Sequence, residues 1–365
     1  MKHRTTGGVA GGLATAIVAS ALICPTFVLA HHSTAEYDSK QIVEARGQVV
    51  TLLWANPHVR FTVSTKAIDG NDQLWEIESA DLTRLDRVGL PHDVVKVGDV
   101  VTFAGNPSTR RDRRMYVTNL LVADGREILL RGNVAARWAS GNRVVATDPT
   151  FTKTAASATA DNRSFIGRVL VPMREGKAPA WVGHPPLTPA ARVKQAAYDE
   201  VVDDPVLGCV SPGMPRVILR SGPYAVRFIE RGSDLVLQNE WFEIDRLIHM
   251  DGKEPTATAP YTPLGYSAGK WDGDALVITT THIDWPYFEL YGLVGVPQSR
   301  AMRIVERFTP RDAGATLQYD FTATDPSAFT ETVSYENYAT FRWQPKLEFL
   351  PYDCIETERK ARSPR

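Results

Sequence analysis

A histidine and an aspartate stand two residues apart at the end of a strongly β-like segment, in His282-Ile283-Asp284-Trp285. Side chains alternate across a β-strand, so His282 and Asp284 would share one face. An imidazole that titrates near neutral pH, with a carboxylate beside it, could act as an acid/base pair. Glu289 is a candidate second acid just beyond. The alternative is that His282 and Asp284 are rim residues hydrated by solvent.

Three histidines could form a metal site at the start of an exported chain. Cleavage after Ala30 would leave His31 with a free α-amine, and this amine and the imidazole could chelate one metal ion. His32 and His58 offer further nitrogens. Nitrogen-rich, near-planar sites favour Cu(II), and the arrangement resembles the copper-binding histidine braces of secreted oxidases and copper carriers. The alternative is a solvated terminal histidine pair with a structural His58.

The second half of the chain is rich in tryptophan and tyrosine. Side chains of this kind, together with a few polar groups, are the usual lining of a small-molecule pocket. Core packing is the alternative account of any one of them. The candidate pocket residues are Trp241, Tyr266, Trp271, Trp285, Tyr287, Tyr319, Tyr335 and Trp343.

Two cysteines, Cys209 and Cys354, remain after removal of a 30-residue signal segment. An exported compartment permits their oxidation, so we expect a disulfide that holds the C-terminal segment to the start of the second half. Two free thiols in a core are the alternative.

The N-terminus has the three parts of a signal peptide. Lys2, His3 and Arg4 give a positive start, an apolar run follows over residues 9–23, and Val28-Leu29-Ala30 suits signal peptidase. The chain is therefore predicted to be periplasmic or secreted, with a retained anchor as the alternative. No later segment is apolar enough to span a bilayer, so no stable membrane insertion is expected.

The overall charge argues against a polyanionic partner. There are 41 basic and 42 acidic residues, a net charge of -1. This balance offers no electrostatic reason to expect nucleic acid or an anionic membrane as the main partner. The sequence contains no phosphate-binding glycine loop, nucleophile elbow or zinc-type cysteine or histidine spacing.

The elements that position these residues are mainly β-strands. Residues 31–130 predict five strands, at 42–54, 58–66, 73–78, 99–104 and 114–122, with a short helix at 81–88 capped by Asp81. Three strands, a helix and two strands is the order of an OB-like five-stranded small barrel.

The rest of the chain divides into a connecting segment and a second β domain. Residues 131–205 are predicted to be a linker and wrapping segment with a short helix at 190–198. Residues 206–365 predict eight or nine antiparallel strands, the last two at 329–335 and 340–349, with Asp272-Gly273 as the clearest hairpin turn. An up-and-down, calycin/lipocalin-like barrel is expected, with a twisted sandwich as the alternative.

Several short segments resemble a family of exported bacterial two-domain β proteins of unknown function. In the first half they are His31-His32-Ser33, Trp54-Ala55-Asn56-Pro57-His58 and Val97-Gly98-Asp99-Val100. In the second half CVSPGMPR at 209–216, GYSAGKWDGDALVITTTH at 265–282 and ERF at 306–308 resemble domains often joined to it. The resemblance implies export and two domains, and it brings no established reaction.

Two functions follow as expectations. The first is an exported binding protein that holds a small apolar molecule in the second barrel and copper at the mature N-terminus. The second is a non-redox enzyme, such as a hydratase, isomerase or lyase, that acts on a hydrophobic substrate through His282 and Asp284. Placement of those two side chains in a closed apolar cavity would favour the enzyme, and placement in solvent would disfavour it.

Overall fold

The structure is a computed structural model that describes residues 36–131, 134–146, 165–174, 177–219 and 224–355. The chain is mainly β and forms two closed barrels, as predicted. The first sheet contains β1 (Val43–Leu53), β2 (Arg60–Lys66), β3 (Asp72–Glu78), β4 (Val100–Pro107), β5 (Arg114–Leu121), β6 (Glu127–Leu129) and β7 (Val144–Ala146).

The first barrel is closed by five strands. β1 pairs with β2 and β4, β2 with β3, and β4 with β5, all antiparallel; a parallel pairing of β3 with β5 completes the ring. Helix α1 (Leu82–Arg87) lies between β3 and β4, which confirms the OB-like order. Asp81 begins α1 as predicted, since its Oδ1 accepts a hydrogen bond from the backbone N of Arg84 at 2.8 Å.

The second barrel is closed by nine strands. Neighbouring pairs are antiparallel except β11 and β12, which run parallel where Ile248 faces Ser267. In order around the barrel the strands are β10 (Asp234–Asn239), β11 (Ile244–His249), β12 (Tyr266–Asp272), β13 (Ala275–Thr281), β16 (Arg303–Arg311), β17 (Thr316–Thr324), β18 (Val333–Trp343), β8 (Leu170–Met173) and β9 (Val226–Arg231).

One barrel strand comes from the range predicted as a linker. β8 pairs with β18 and, through Leu170, with β9, so residues 131–205 help to close the second barrel. The same range carries short helices that pack on this barrel. The helices of the second half are α2 (Ala180–Gly183), α3 (Pro189–Ala197), α4 (Glu200–Asp203) and α5 (Arg216–Leu219).

Strand boundaries differ from the prediction at two places. The strands expected at 329–335 and 340–349 are a single element, β18, whose pairing with β17 shifts near Asn337, a residue with φ of 50°. Between β13 and β16 the chain leaves the barrel and forms a separate hairpin, β14 (Tyr287–Leu290) and β15 (Leu293–Pro297). Gly273, with φ of 61°, lies in the predicted tight turn between β12 and β13.

The predicted disulfide is confirmed, and it lies where the two barrels meet. Cys209 and Cys354 are bonded, with Cα atoms 5.8 Å apart. Beside Cys354, the backbone N of Asn56 donates to the Asp353 carbonyl at 2.9 Å, and the N of Ile355 donates to the Asn56 carbonyl at 3.0 Å. Within the described ranges no helix is long and apolar enough to cross a membrane.

Candidate functional site

His282 and Asp284 lie at the surface of the second barrel with different partners. β13 ends at Thr281 and His282 has φ of 55°, so the expected alternation of side chains stops before it reaches this pair. The His282 ring is half-buried and stacks on Tyr261 with 4.7 Å between centroids. Asp284 is exposed and its Oδ2 lies 3.1 Å from Nη2 of Arg300.

Glu289 is not an exposed acid. It is fully buried and belongs to a cluster of charged side chains. Its Oε2 lies 2.6 Å from Nη1 of Arg216, and its Oε1 accepts hydrogen bonds from the hydroxyl of Tyr198 at 3.1 Å and the N of Gly295 at 3.2 Å. Arg216 also donates twice to Asp204, at 2.7 Å each. This cluster has the form of a structural anchor for α5 and the β14–β15 hairpin.

The pKa directions in this cluster agree with a fixed charge network. Burial alone lowers the pKa of Arg216, but the carboxylates of Asp204 and Glu289 outweigh burial and raise it above its ordinary value. Burial, with those same carboxylates nearby, raises the pKa of Tyr198. Arg216 therefore stays charged and Tyr198 stays protonated, which leaves Glu289 an acceptor in the folded protein.

The eight aromatic residues predicted to line a pocket are spread over the second half. Trp241 is buried beside Tyr352, to whose hydroxyl its Nε1 donates at 3.2 Å, and Trp285 is buried beside Gly213. The half-buried members of the set each contact another aromatic or charged side chain, and Trp271 and Trp343 also pack against the core of the second barrel. These contacts are Tyr266 on His249, Trp271 beside Phe165, Tyr287 against Tyr198, and Trp343 beneath Arg168.

Tyr319 and Tyr335 are the members of that set that are almost fully buried on barrel strands, β17 and β18. The Tyr319 hydroxyl donates to Oε1 of Glu306 at 3.1 Å. Burial, followed by the charge of Glu306, raises its pKa well above the ordinary value. Tyr319 is therefore a hydrogen-bond donor that is already used within the protein.

Glu306 belongs to a buried polar network across the barrel. Arg246 donates to both its carboxylate oxygens, to Oγ of Ser267 at 2.9 Å and to Oγ1 of Thr280 at 2.6 Å. The network was missed in the sequence, although Arg246 stands between Ile244 and Ile248 at inward positions of β11. A charge within apolar alternation was the available signal.

The Tyr335 hydroxyl is different from that of Tyr319. Tyr335 is 2% exposed, and its hydroxyl has no hydrogen-bond partner among the described residues. Aromatic rings surround it: Tyr338 at 4.9 Å, Phe321 at 6.0 Å, and the half-buried Trp181 edge-on at 6.5 Å between ring centroids. A buried hydroxyl without a partner costs about 1–3 kcal/mol.

Trp181 is half-buried and contacts the ring of Tyr335 edge-on. It lies on the four-residue helix α2, and its Nε1 donates to the backbone carbonyl of Ser334 at 2.7 Å. The ring of Trp181 also packs against the core of the second barrel.

In the first barrel, His58 lies in a cluster of paired charges. Its Nδ1 is 3.1 Å from Oε1 of Glu78, whose Oε2 accepts hydrogen bonds from the Tyr37 hydroxyl at 2.8 Å and from Nη2 of Arg114 at 3.0 Å. Burial lowers the pKa of His58 below its usual value, and the opposing effect of Glu78 is smaller. The imidazole is therefore neutral at pH 7.

Glu36, the first described residue, lies next to this cluster, with its Oε1 3.2 Å from Nε of Arg114. The carboxylate of Glu36 accepts hydrogen bonds from Arg111 at 3.0 Å and from Oγ of Ser108 at 2.7 Å. His31 and His32 lie outside the described residues. Within the part of the chain that is described, no three metal-binding side chains converge on one point.

A small cavity lies in the core of the first barrel, lined mainly by apolar side chains that include Trp54, Phe61 and Leu85. Its volume is about 10 Å³, which is about the space of one water molecule. This cavity is too small for an organic ligand.

One comparison with known proteins gives a match. A family of unknown function, DUF6152, matches residues 19–115, a range that includes β1 to β4 and the start of β5. No curated protein and no solved structure matches the chain. The first barrel is thus similar to a family to which no function is attached.

Proposed function

We propose that the protein is an exported binding protein whose second barrel binds a small, mainly apolar molecule beside Tyr335. The Tyr335 hydroxyl carries the proposal. It is enclosed by the rings of Phe321, Tyr338 and Trp181, and the described residues supply it with no hydrogen bond. Apolar walls around one polar group are the usual make-up of a small-molecule site.

Export is part of the proposal. The N-terminal segment has the composition of a signal peptide, and the Cys209–Cys354 disulfide is compatible with an oxidising compartment. Sequencing the N-terminus of the secreted protein tests the predicted start at His31.

The ligand site is tested with a neutral fluorescent probe, N-phenyl-1-naphthylamine, on protein purified from the periplasm and stripped of bound molecules. Wild type should bind the probe, whose amine can pair with the Tyr335 hydroxyl. Tyr335→Phe should weaken binding by about 5-fold while leaving the ligand-free protein as stable or more stable, because a buried polar group is removed. Tyr266→Phe, a matched change outside the barrel interior, should alter neither quantity.

The two readouts make the outcome decisive. A Tyr335→Phe protein that is destabilised by more than about 1 kcal/mol would mean that the hydroxyl already has a partner in the folded chain. Unchanged affinity of Tyr335→Phe for the probe, or no binding by wild type, would also contradict a ligand site beside Tyr335. Mass spectrometry of molecules extracted from the purified protein then identifies the natural ligand.

Copper binding at the mature N-terminus is the second candidate function. It is favoured by the neutral state of His58 and by the attachment of Glu36 and Tyr37 to the cluster that contains it. His31 precedes Glu36 by five residues, which is within reach of this cluster for an extended chain. The amine and imidazole of His31 would bind Cu(II), with His58 or His32 as a further ligand.

Calorimetry with Cu(II) tests this candidate. One alanine added before His31 displaces the amine from the chelate ring and leaves every histidine in place, so it should weaken binding at least 10-fold. His58→Ala should weaken binding as well. Equal affinity of the extended and native proteins would rule out chelation by the terminal amine.

The rival acid/base enzyme has less support. Asp284 is exposed and paired with Arg300, and His282 stacks on Tyr261 at the surface. Because neither side chain lies in a closed apolar cavity, this placement disfavours acid/base catalysis by the pair.

A further inference from the structure

His58 is held beside the end of β3 by backbone hydrogen bonds of the next residue. Val59 donates to the carbonyl of Ala80 at 3.1 Å and accepts from the N of Ser79 at 2.9 Å. Glu78 is the last residue of β3, and its Oε1 lies 3.1 Å from Nδ1 of His58. The imidazole therefore meets this carboxylate with Nδ1.

The two carboxylate oxygens of Glu78 have different partners. Oε2 accepts hydrogen bonds from the hydroxyl of Tyr37 at 2.8 Å and from Nη2 of Arg114 at 3.0 Å, while Oε1 faces His58. The Glu78 side chain is only 5% exposed. Because both donors hold Oε2, Oε1 is a fixed negative group next to the imidazole.

A carboxylate oxygen at this distance decides which ring nitrogen carries the proton of a neutral imidazole. A lone pair on Nδ1 would point at the negative Oε1 of Glu78, whereas an N–H group in the same place is attracted to it. The two atoms lack the alignment of a full hydrogen bond, so this preference is mainly electrostatic. Nδ1 is buried and the His58 side chain as a whole is 14% exposed, so the accessible part of the ring lies away from Nδ1. The lone pair of Nε2 is the one left for a ligand.

We infer that Glu78 is a positioning residue for the copper site at the mature N-terminus: it keeps the proton of His58 on Nδ1 and so presents Nε2 to the metal. The inference rests on the copper candidate of the proposed function and assigns His58, through Nε2, as the further ligand. Histidines that bind metals commonly direct their second ring N–H at a carboxylate, and loss of such a partner costs about 10–100-fold in metal affinity.

Glu78→Gln tests the inference because it keeps the shape of the side chain and reverses its polarity toward His58. Tyr37 and Arg114 both donate to the Oε2 position, so the amide oxygen should occupy that position and the amide NH2 group should face Nδ1. Nδ1 then becomes an acceptor, and the ring proton moves to Nε2, where it blocks a metal. Copper affinity measured by calorimetry should fall about 10-fold or more, to a value close to that of His58→Ala.

The position of the ring proton is measured directly by NMR, from the nitrogen chemical shifts of the His58 ring before copper is added. His58→Ala identifies the signals. Wild type should carry the proton on Nδ1, and Glu78→Gln should carry it on Nε2. Glu76→Gln is the matched control, because Glu76 also pairs with Arg114, at 2.9 Å, but its side chain is 50% exposed. It should keep the wild-type proton position and a copper affinity within about 2-fold of wild type.

The outcomes separate the inference from the copper candidate. A proton on Nε2 in wild type, or an unchanged copper affinity of Glu78→Gln, would overturn the role of Glu78 while copper binding by the terminal amine still stands. If His58→Ala binds copper as tightly as wild type, His58 is not a ligand and the inference is wrong. If wild type binds no copper, the inference and the copper candidate both fail. Circular dichroism shows whether Glu78→Gln is folded; if it is not, the wild-type spectrum and the His58→Ala comparison decide the matter.

Discussion

Arg87 of the first barrel and Glu240 of the second form an ion pair across the boundary between the barrels, and their side chains are 3% and 0% exposed. Glu240 also accepts a hydrogen bond from the N of Leu350 at 2.6 Å and one from the N of Ala225 at 3.1 Å. This carboxylate therefore ties α1, the residue before β9 and the C-terminal segment into one network.

Loss of Arg87 should destabilise the protein strongly. Arg87→Met leaves Glu240 as an uncompensated buried charge, so the free energy of unfolding in urea should fall by about 3 kcal/mol or more. Arg231→Met is the control, since it removes the exposed pair with Asp245 at 3.0 Å and should cost less than about 1 kcal/mol. Similar costs for the two variants would contradict a role for burial.

Removal of the disulfide should loosen the boundary between the barrels. The bond closes a separation of 145 residues, for which chain entropy gives up to about 4–5 kcal/mol. The Cys209→Ser/Cys354→Ser variant should unfold at a lower temperature. Faster hydrogen exchange at the amides of Asn56 and Ile355, which bond to this segment, should accompany the loss. Unchanged exchange at these amides would show that the segment stays attached without the disulfide.

His58 should make stability depend on pH in a defined direction. Its pKa is lowered in the folded protein by burial, so below about 6.5 the unfolded chain binds the proton more readily. The stabilisation that neutral His58 contributes is fully present above about pH 6.5 and is lost as the pH falls toward its lowered pKa. The difference in free energy of unfolding between wild type and His58→Gln should therefore shrink from pH 7.5 to pH 5; a constant or growing difference would contradict the assignment.

The buried pair inside the second barrel allows a double-mutant test. Glu306→Gln leaves Arg246 charged and buried, and the free energy of unfolding should fall by about 3–5 kcal/mol. Arg246→Met combined with Glu306→Leu should cost less than the sum of the single changes, because no buried charge remains. Additive costs in urea unfolding would mean that the two side chains do not act as a pair.

Local patterns were sufficient to predict much of the first barrel. The inward residues Phe61 and Val63 alternate along β2, and Asp81 occupies the N-cap of α1. The conformation of each element can therefore be predicted from its own residues. The Cys209–Cys354 disulfide was predicted because two cysteines follow the predicted signal segment, and it is confirmed. Side chains also alternate along β16: Glu306 is buried, and Arg307 pairs with Asp272 at 2.7 Å.

The candidate site depended on contacts that sequence alone does not encode. The His282–Asp284 hypothesis assumed that β13 continues past Thr281, whereas a positive φ at His282 ends the alternation. The sequence did not distinguish Tyr335 from the other seven candidate aromatic residues. The fold does, because it buries the Tyr335 hydroxyl without a hydrogen-bond partner among the described residues.

The sequence by itself determined the two-barrel architecture, the export signal as an expectation and the disulfide, because these follow from short-range periodicity and residue counts. Tertiary structure decided which strand closes the second barrel, since β8 comes from a stretch with weak strand signals and is recruited by pairing with β18. It also decided which polar groups are paired. Arg246 finds Glu306 sixty residues away, while the Tyr335 hydroxyl finds no partner in the described chain, and this difference is set by long-range packing around each group.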